Sequence, residues 1–354
     1  MQLLGSLQVM VPFRTKASSR TLLYSAAAIS LVGGLLFIYG KGIDSPMMPI
    51  AAGDSDVVQV VSNQEERHMT MKLACDATKS LRPDEELEYL IQHSKFLDHI
   101  IVNEDHKLLY CYIPKVSSTQ WKKVMGVLSG TLPDRPLNEI LGRAPHERGV
   151  HRFLSDFPLA EVRNRLATYT SFLFVRHPLE RLVSGYVNKF AKAGPDGYFN
   201  RLFSAEIKRQ FGDGQPASNT STVTFDSFAR WVSNPHPKNV LGARNEHWKP
   251  MVDLCHPCAV NYTIIGKMET LAEDARLVLR SARVTSVAFP AGFRSRTHDT
   301  AADLFSSLEP DVQRHVLRLY FEDLLVFGYR PSDLYVANTT AHMNSRIMFE
   351  SLLV

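Results

Sequence analysis

Two stretches of this chain share one outline: an apolar run, a proline-marked break beside a cation, and an amphipathic helical pattern. They read HKLLYCYIPKVSSTQWKKVMGVLSG from His106 and TSFLFVRHPLERLVSGYVNKFAK from Thr170. A strand that passes directly into a helix is carried across the sheet before the next strand begins, so repeated units of this kind build parallel pairs. The rest of the chain continues the alternation. LAEVRNRLATY, FDSFARWVS, LAEDARLVLRSA and PDVQRHVLRLYFEDLLVFG have helical spacing, and YTIIG reads as a third buried strand. The expected fold is α/β, a central parallel sheet flanked by helices.

The break between strand and helix carries the chemistry. The first turn of a helix has N–H groups without intrahelical partners, and the helix dipole adds partial positive charge there, so the turn is a seat for an anion. In the first unit Pro114 ends the strand, Lys115 enters the turn, and Ser117, Ser118 and Thr119 bring three hydroxyls to the helix start. The nucleoside triphosphate loop GxxxxGK[ST] is absent, because Lys115 precedes the hydroxyls instead of closing a glycine loop. With no clear magnesium-binding acidic pair either, an ATP- or GTP-dependent kinase is disfavoured. Serine and threonine at a helix start are also ordinary N-caps, so this stretch alone does not name its anion. In the second unit Arg176 ends the strand, and Ser184 and Arg181 in the following helix can converge with it on a phosphate. The planar fork of arginine suits phosphate oxygens.

The flanking sequence sets the surroundings. Residues 21–40, TLLYSAAAISLVGGLLFIYG, carry no charge, and twenty residues at about 1.5 Å each make about 30 Å, the thickness of a bilayer core. Such a run is longer than the apolar core of a signal peptide. Arg14, Lys16 and Arg20 precede it and only Lys41 follows closely, which holds the N-terminus in the cytoplasm. The expectation is a single-pass type II membrane protein: tail 1–20, signal anchor 21–40, lumenal stem 41–98, catalytic domain 99–335 and C-terminal tail 336–354. Sequons at Asn219, Asn261 and Asn338 fit a lumenal body. Cys75, Cys111, Cys255 and Cys258 then sit where disulfides form, and three full pairings are open. CHPC at 255–258 could be half of a zinc site, but no second CxxC completes it. A balance of 40 Lys and Arg against 36 Asp and Glu, net +4, excludes a dedicated nucleic-acid coat while allowing local basic grooves.

Taken together, PKVSSTQWKK and FLFVRHPLERLVSGYVNKF resemble the donor-binding motifs of the Golgi carbohydrate sulfotransferases, in the family of the chondroitin and dermatan 4-O-sulfotransferases and the HNK-1 sulfotransferase. The likeness continues through NEHW at 245–248, LCHPC at 254–258, IIGKMETLAEDA at 264–275 and LLVFGY at 324–329, and so covers about residues 100 to 330. It implies the P-loop-like sulfotransferase fold, a Golgi membrane location, no metal, and 3′-phosphoadenosine 5′-phosphosulfate (PAPS) as donor. By resemblance Pro114, Lys115, Val116, Ser117, Ser118, Thr119 and Gln120 hold the 5′-phosphosulfate. Arg176, His177, Pro178, Leu179, Glu180, Arg181, Leu182, Val183 and Ser184 hold the 3′-phosphate. A donor of roughly −4, about −2 of it on the 3′-phosphate, needs two cationic seats, in agreement with the two turns. Ser118, Gln120 and His177 stand where the family has Cys, Asn and Glu; Ser118 keeps a hydroxyl, and His177 would make affinity depend on pH near neutrality.

Sulfuryl transfer to a sugar hydroxyl needs in-line attack, a base for the hydroxyl proton, and positive charge where the bridging oxygen becomes anionic. Lys115 suits the last role. For the base, His146 in APHERGVH matches a family histidine lying between the two donor motifs; His247 in NEHW comes next, and His151 is a third candidate. Arg296 in RSRTH matches a late family arginine expected to close over the donor. The implied acceptor is a glycosaminoglycan, most like the branch acting on position 4 of N-acetylgalactosamine in chondroitin or dermatan. Lys122, Lys123, Arg163, Arg165, Lys189, Lys192, Lys208 and Arg209 are the expected basic track for it. A lumenal module that binds sulfated glycans without chemistry is the competing class, and it has no use for Lys115, Arg176 and Ser184 together.

Overall fold

The computed structural model describes residues 55–78, 82–212, 223–237, 239–290 and 297–335. The expected span at 21–40, the tail at 336–354, Asn219, Asn338 and Arg296 lie outside the described residues. Among those described, no helix is long and apolar enough to cross a membrane.

Five strands form one sheet: β1 (Ile100–Asn103), β2 (Leu108–Cys111), β3 (Arg152–Phe153), β4 (Thr170–Val175) and β5 (Ile264–Lys267), in the order β3-β1-β2-β4-β5. β2, β4 and β5 run parallel, with Tyr110 opposite Phe172 and Phe172 opposite Ile264. β1 is antiparallel to both β2 and β3. The sheet is therefore mixed, a correction to the parallel sheet expected from the sequence. Only four residues separate β1 from β2, too few for a crossover, so that pair closes as a hairpin, with Lys107 in the left-handed region at φ 49°.

Helices flank or follow these strands. They are α1 (Ser55–Thr78), α2 (Pro83–Gln92), α3 (Ser118–Leu128) directly after β2, α4 (Leu159–Thr168) before β4, and α5 (Pro178–Tyr186) directly after β4. β1 and β2 are buried throughout and β4 at five of six positions, as expected of strands covered on both faces. Tyr110 stacks on Phe172 at 4.8 Å, and Trp121 of α3 packs on Phe174 at 5.1 Å, which fixes the start of α3 against the strand tips. Gly266 of β5 lets the Phe174 ring approach, since a Cβ there would lie 2.3 Å from it.

The stem expected over 41–98 does not hold for its second half. Gln64 of α1 accepts from the Ile265 N–H at 2.9 Å and donates to the Ile265 carbonyl at 3.0 Å, as a neighbouring strand would on the open edge of β5. Arg67 joins the same carbonyl at 2.6 Å and pairs with buried Asp274 at 2.8 Å. Disulfides Cys75–Cys258 and Cys111–Cys255 then tie α1 and β2 to the two ends of CHPC. Both CHPC sulfurs are used in these bonds, which removes the zinc reading. Loops of 144 and 183 residues are closed, so each bridge stabilises by up to about 5 kcal/mol in the chain-entropy account.

Candidate active site

A cleft of about 730 Å³ opens beyond the ends of β2, β4 and β5, lined by residues that follow each strand: Pro114, Lys115 and Ser117 to Gln120 after β2, Arg176 after β4, and Met268 after β5. Ligands of open α/β sheets bind at this end of the strands. The first turn bends without glycine, because Lys115 and Ser117 themselves take left-handed backbone at φ 75° and 58°. Each such residue costs about 1–2 kcal/mol, strain that the surrounding fold sustains at this turn. Ser117 is the N-cap of α3, and its carbonyl receives the Gln120 and Trp121 N–H groups. The N–H groups of Ser118 and Thr119 precede those first intrahelical bonds, at the positive end of the helix.

Cations crowd this cleft. Burial, followed by Lys189, Arg176 and Arg181, pushes Lys115 down to about 8. Arg176 is only 3% exposed yet lines the cleft, and its Nε and Nη2 donate to Glu180 Oε2 at 2.9 and 2.8 Å, which sets the plane of the guanidinium. Ser184, two turns into α5, reaches the same cleft. A five-residue turn of π-helix, Val187–Ala191, extends α5 and brings Asn188 and Lys189 to the lining.

Both preferred histidines line it too. His146 Nε2 lies 3.2 Å from Thr119 Oγ1; burial, then Lys122, lowers its pKa. His247 Nδ1 lies 2.7 Å from Asn245 Oδ1, an acceptor, so Nδ1 carries the proton and Nε2 keeps its lone pair. Burial, followed by Lys189 and Lys115, drives His247 down to about 2. His151 is not among the lining residues: its Nε2 contacts the Pro145 carbonyl at 3.0 Å and so holds the loop that carries His146.

Several expected donor residues are placed elsewhere. Val116, Leu179, Leu182 and Val183 are core residues at 0–1% exposure, and Pro178 is buried at the start of α5. Glu180 serves Arg176. His177 accepts from the Leu179 N–H at 3.3 Å, faces the Arg330 carbonyl at 3.1 Å, and is not among the lining residues. Arg181, fully buried, donates to the carbonyls of Pro114 at 3.0 Å, Glu246 at 2.7 Å and Lys249 at 2.6 Å. It lies behind the cleft and clamps the tip that carries Lys115 to the loop that carries His247.

The basic track is reduced as well. Lys122 and Lys189 line the cleft, whereas Lys123 is buried and donates to the Leu137 carbonyl at 2.7 Å. Arg163 pairs with Glu88, and Arg165 with Glu104 and Glu161. Lys192, Lys208 and Arg209 are not among the lining residues. The lining adds Tyr112, Asn188, Glu246 and Met268, which the sequence reading did not assign to the site. The signal for Glu246 was present, since it lies within NEHW.

A mixed α/β sheet with two cation-tipped strand ends opening on one cleft suits an enzyme that holds an anionic ligand. Residues 98–330 match the sulfotransferase family. Carbohydrate sulfotransferase 11 of Rattus norvegicus is 36% identical over 238 residues, 66% of this chain and 67% of the relative. Carbohydrate sulfotransferase 14 of Danio rerio is 33% identical over 357 residues, 90% and 92%, and that of Homo sapiens 35% over 295 residues, 82% and 74%. No solved structure gives a match. The chain belongs to the sulfotransferase family and is an enzyme of sulfuryl transfer.

Proposed function

We propose that this protein is a type II Golgi membrane enzyme that transfers the sulfuryl group of PAPS to a glycosaminoglycan hydroxyl, position 4 of N-acetylgalactosamine in chondroitin or dermatan. The observation that carries the reading is that Lys115 and Arg176, at the tips of neighbouring parallel strands, share a cleft with His146 and His247. Burial, and then the neighbouring cations, lower Lys115; the cations that gather around it leave the site short of negative charge, which a donor of roughly −4 supplies. The relatives' names supply the carbohydrate acceptor.

In the proposed step a sugar hydroxyl forms its bond to sulfur as the sulfur–oxygen bond to the 5′-phosphate breaks. His146 takes the hydroxyl proton, and Lys115 meets the charge that grows on the bridging oxygen. His146 serves better than His247 as base, because a ring held at about 2 binds a proton too weakly near neutrality. His247 Nε2 accepts a hydrogen bond from the acceptor and orients it.

The test uses the lumenal part from residue 55 with labelled PAPS and desulfated glycosaminoglycans, followed by disaccharide analysis. Label at position 4 of galactosamine is expected. Arg176→Lys keeps a charge beside Glu180 while losing the fork, and should weaken adenosine 3′,5′-bisphosphate binding about tenfold or more. His146→Ala should abolish turnover and spare nucleotide binding. Near-normal turnover in that variant would remove His146 from its role.

A further inference from the structure

Lys122, like Lys189, is a cleft cation that the donor reading leaves over. It is 8% exposed, and its Nζ lies 3.4 Å over the Tyr112 ring. Among the described residues it makes no hydrogen bond and no ion pair within 4.0 Å. The other face of Tyr112 is covered by His99, stacked at 4.3 Å, and its hydroxyl donates to Glu246 at 3.1 Å. Tyr112 is thus a shelf between a buried ammonium and a carboxylate, with no face left on which a sugar could stack. Holding an ammonium out of water without a counter-anion is costly, so such a site is built for an anion that arrives with a ligand.

That anion belongs to the acceptor. Lys122 follows Ser118 by one turn of α3, about 6 Å farther along the helix from the first donor seat. It shares its wall with Thr119, whose hydroxyl contacts His146, and with Glu246. The charges that act on Lys115 are Lys189, Arg176 and Arg181 and do not include Lys122, which acts on His99, His146, His151 and, together with Lys115, His247, and is itself acted on by Glu246. A carboxylate in that wall repels phosphate and sulfate but accepts hydroxyl donors. A sugar that carries one carboxylate and several hydroxyls suits both charges.

Resting on the sulfuryl-transfer reading above, we propose that Lys122 and Glu246 form the subsite for the hexuronate beside the sugar that is sulfated, with Lys122 on the uronate carboxylate and Glu246 on its hydroxyls. The test compares wild type with Lys122→Met on chondroitin and on carboxyl-reduced chondroitin, with nucleotide affinity measured by calorimetry. The variant should raise the acceptor KM roughly 10- to 100-fold, the loss of a charge-assisted hydrogen bond, and leave adenosine 3′,5′-bisphosphate affinity within about twofold. Carboxyl reduction should impair wild type by a similar factor and the variant little further. A parallel loss of nucleotide affinity, or equal sensitivity of both proteins to carboxyl reduction, overturns the proposal. Lys122→Gln carries the same comparison should Lys122→Met not fold. If wild type sulfates no galactosaminoglycan, the proposed function fails. The subsite is then judged by chondroitin hexasaccharide binding to the nucleotide-loaded protein, where weaker binding by the variant supports it and equal binding overturns it.

Discussion

Arg181→Met separates the two roles open to the arginine of α5. The Arg181 guanidinium is fully buried and holds three main-chain carbonyls, those of Pro114, Glu246 and Lys249, at 2.6–3.0 Å. Burial lowers its pKa, while Tyr320, Asp323 and Glu246 favour the charged form. Methionine fills similar volume but leaves three buried acceptors without their donor. Removing one member of a buried charged network costs about 3–5 kcal/mol, somewhat less than three separate charge-assisted bonds would sum to. For a folded part of this size 1 kcal/mol moves Tm by about 2–4 °C, so the expected fall is roughly 6–20 °C. The assay is thermal unfolding of the protein from residue 55 without nucleotide, with calorimetric binding of adenosine 3′,5′-bisphosphate beside it. Nucleotide affinity should fall too, since the Lys115 turn loses its anchor to the His247 loop. A Tm within about 2 °C of wild type together with lost affinity would refute the reasoning, and would place Arg181 on the phosphate itself.

Three further outcomes are expected. Lys115→Gly relieves left-handed backbone at φ 75° and should raise stability by about 1 kcal/mol in thermal unfolding while abolishing transfer; a fall in Tm would show that the turn is not strained. Lys115 is held near 8, and only its protonated form attracts the donor, so nucleotide affinity measured by calorimetry should fall as pH rises above about 8, by up to tenfold per unit. Lys115→Arg should flatten that fall, and a flat wild-type profile between pH 7 and 9.5 would count against the assignment. Starting the chain at residue 82 instead of 55 removes the Cys75–Cys258 bridge and the Gln64 and Arg67 contacts to Ile265, and should cost several kcal/mol or prevent secretion; equal Tm for the two proteins would show that α1 is dispensable.

The two cation-tipped strand ends could be read in the sequence because each is local: a strand, a cation and a helix start lie within ten residues of one another, and backbone geometry does the rest. What could not be read depends on contacts made far along the chain. α1 has almost no apolar stripe, and it docks through the Gln64 amide and the Arg67 guanidinium onto a sheet edge about 200 residues away, so periodicity points to a polar stem. β1 was hidden because its hairpin with β2 is antiparallel, whereas the surrounding pattern speaks for crossovers. The same limit divides neighbouring cations. Lys122 and Lys123 are adjacent in sequence and about 100° apart around α3, and only the Leu137 carbonyl decides that one of them is structural and the other faces the cleft. Arg176 and Arg181 lie five residues apart at the start of α5, and the 246–249 loop takes the Arg181 guanidinium onto its carbonyls while Arg176 lines the cleft. A motif therefore specifies which strand tips carry positive charge, while the distant loop that packs behind it selects which of those charges lines the cleft. An exchange in 246–249 that moved those carbonyls would be expected to change donor affinity without altering either motif.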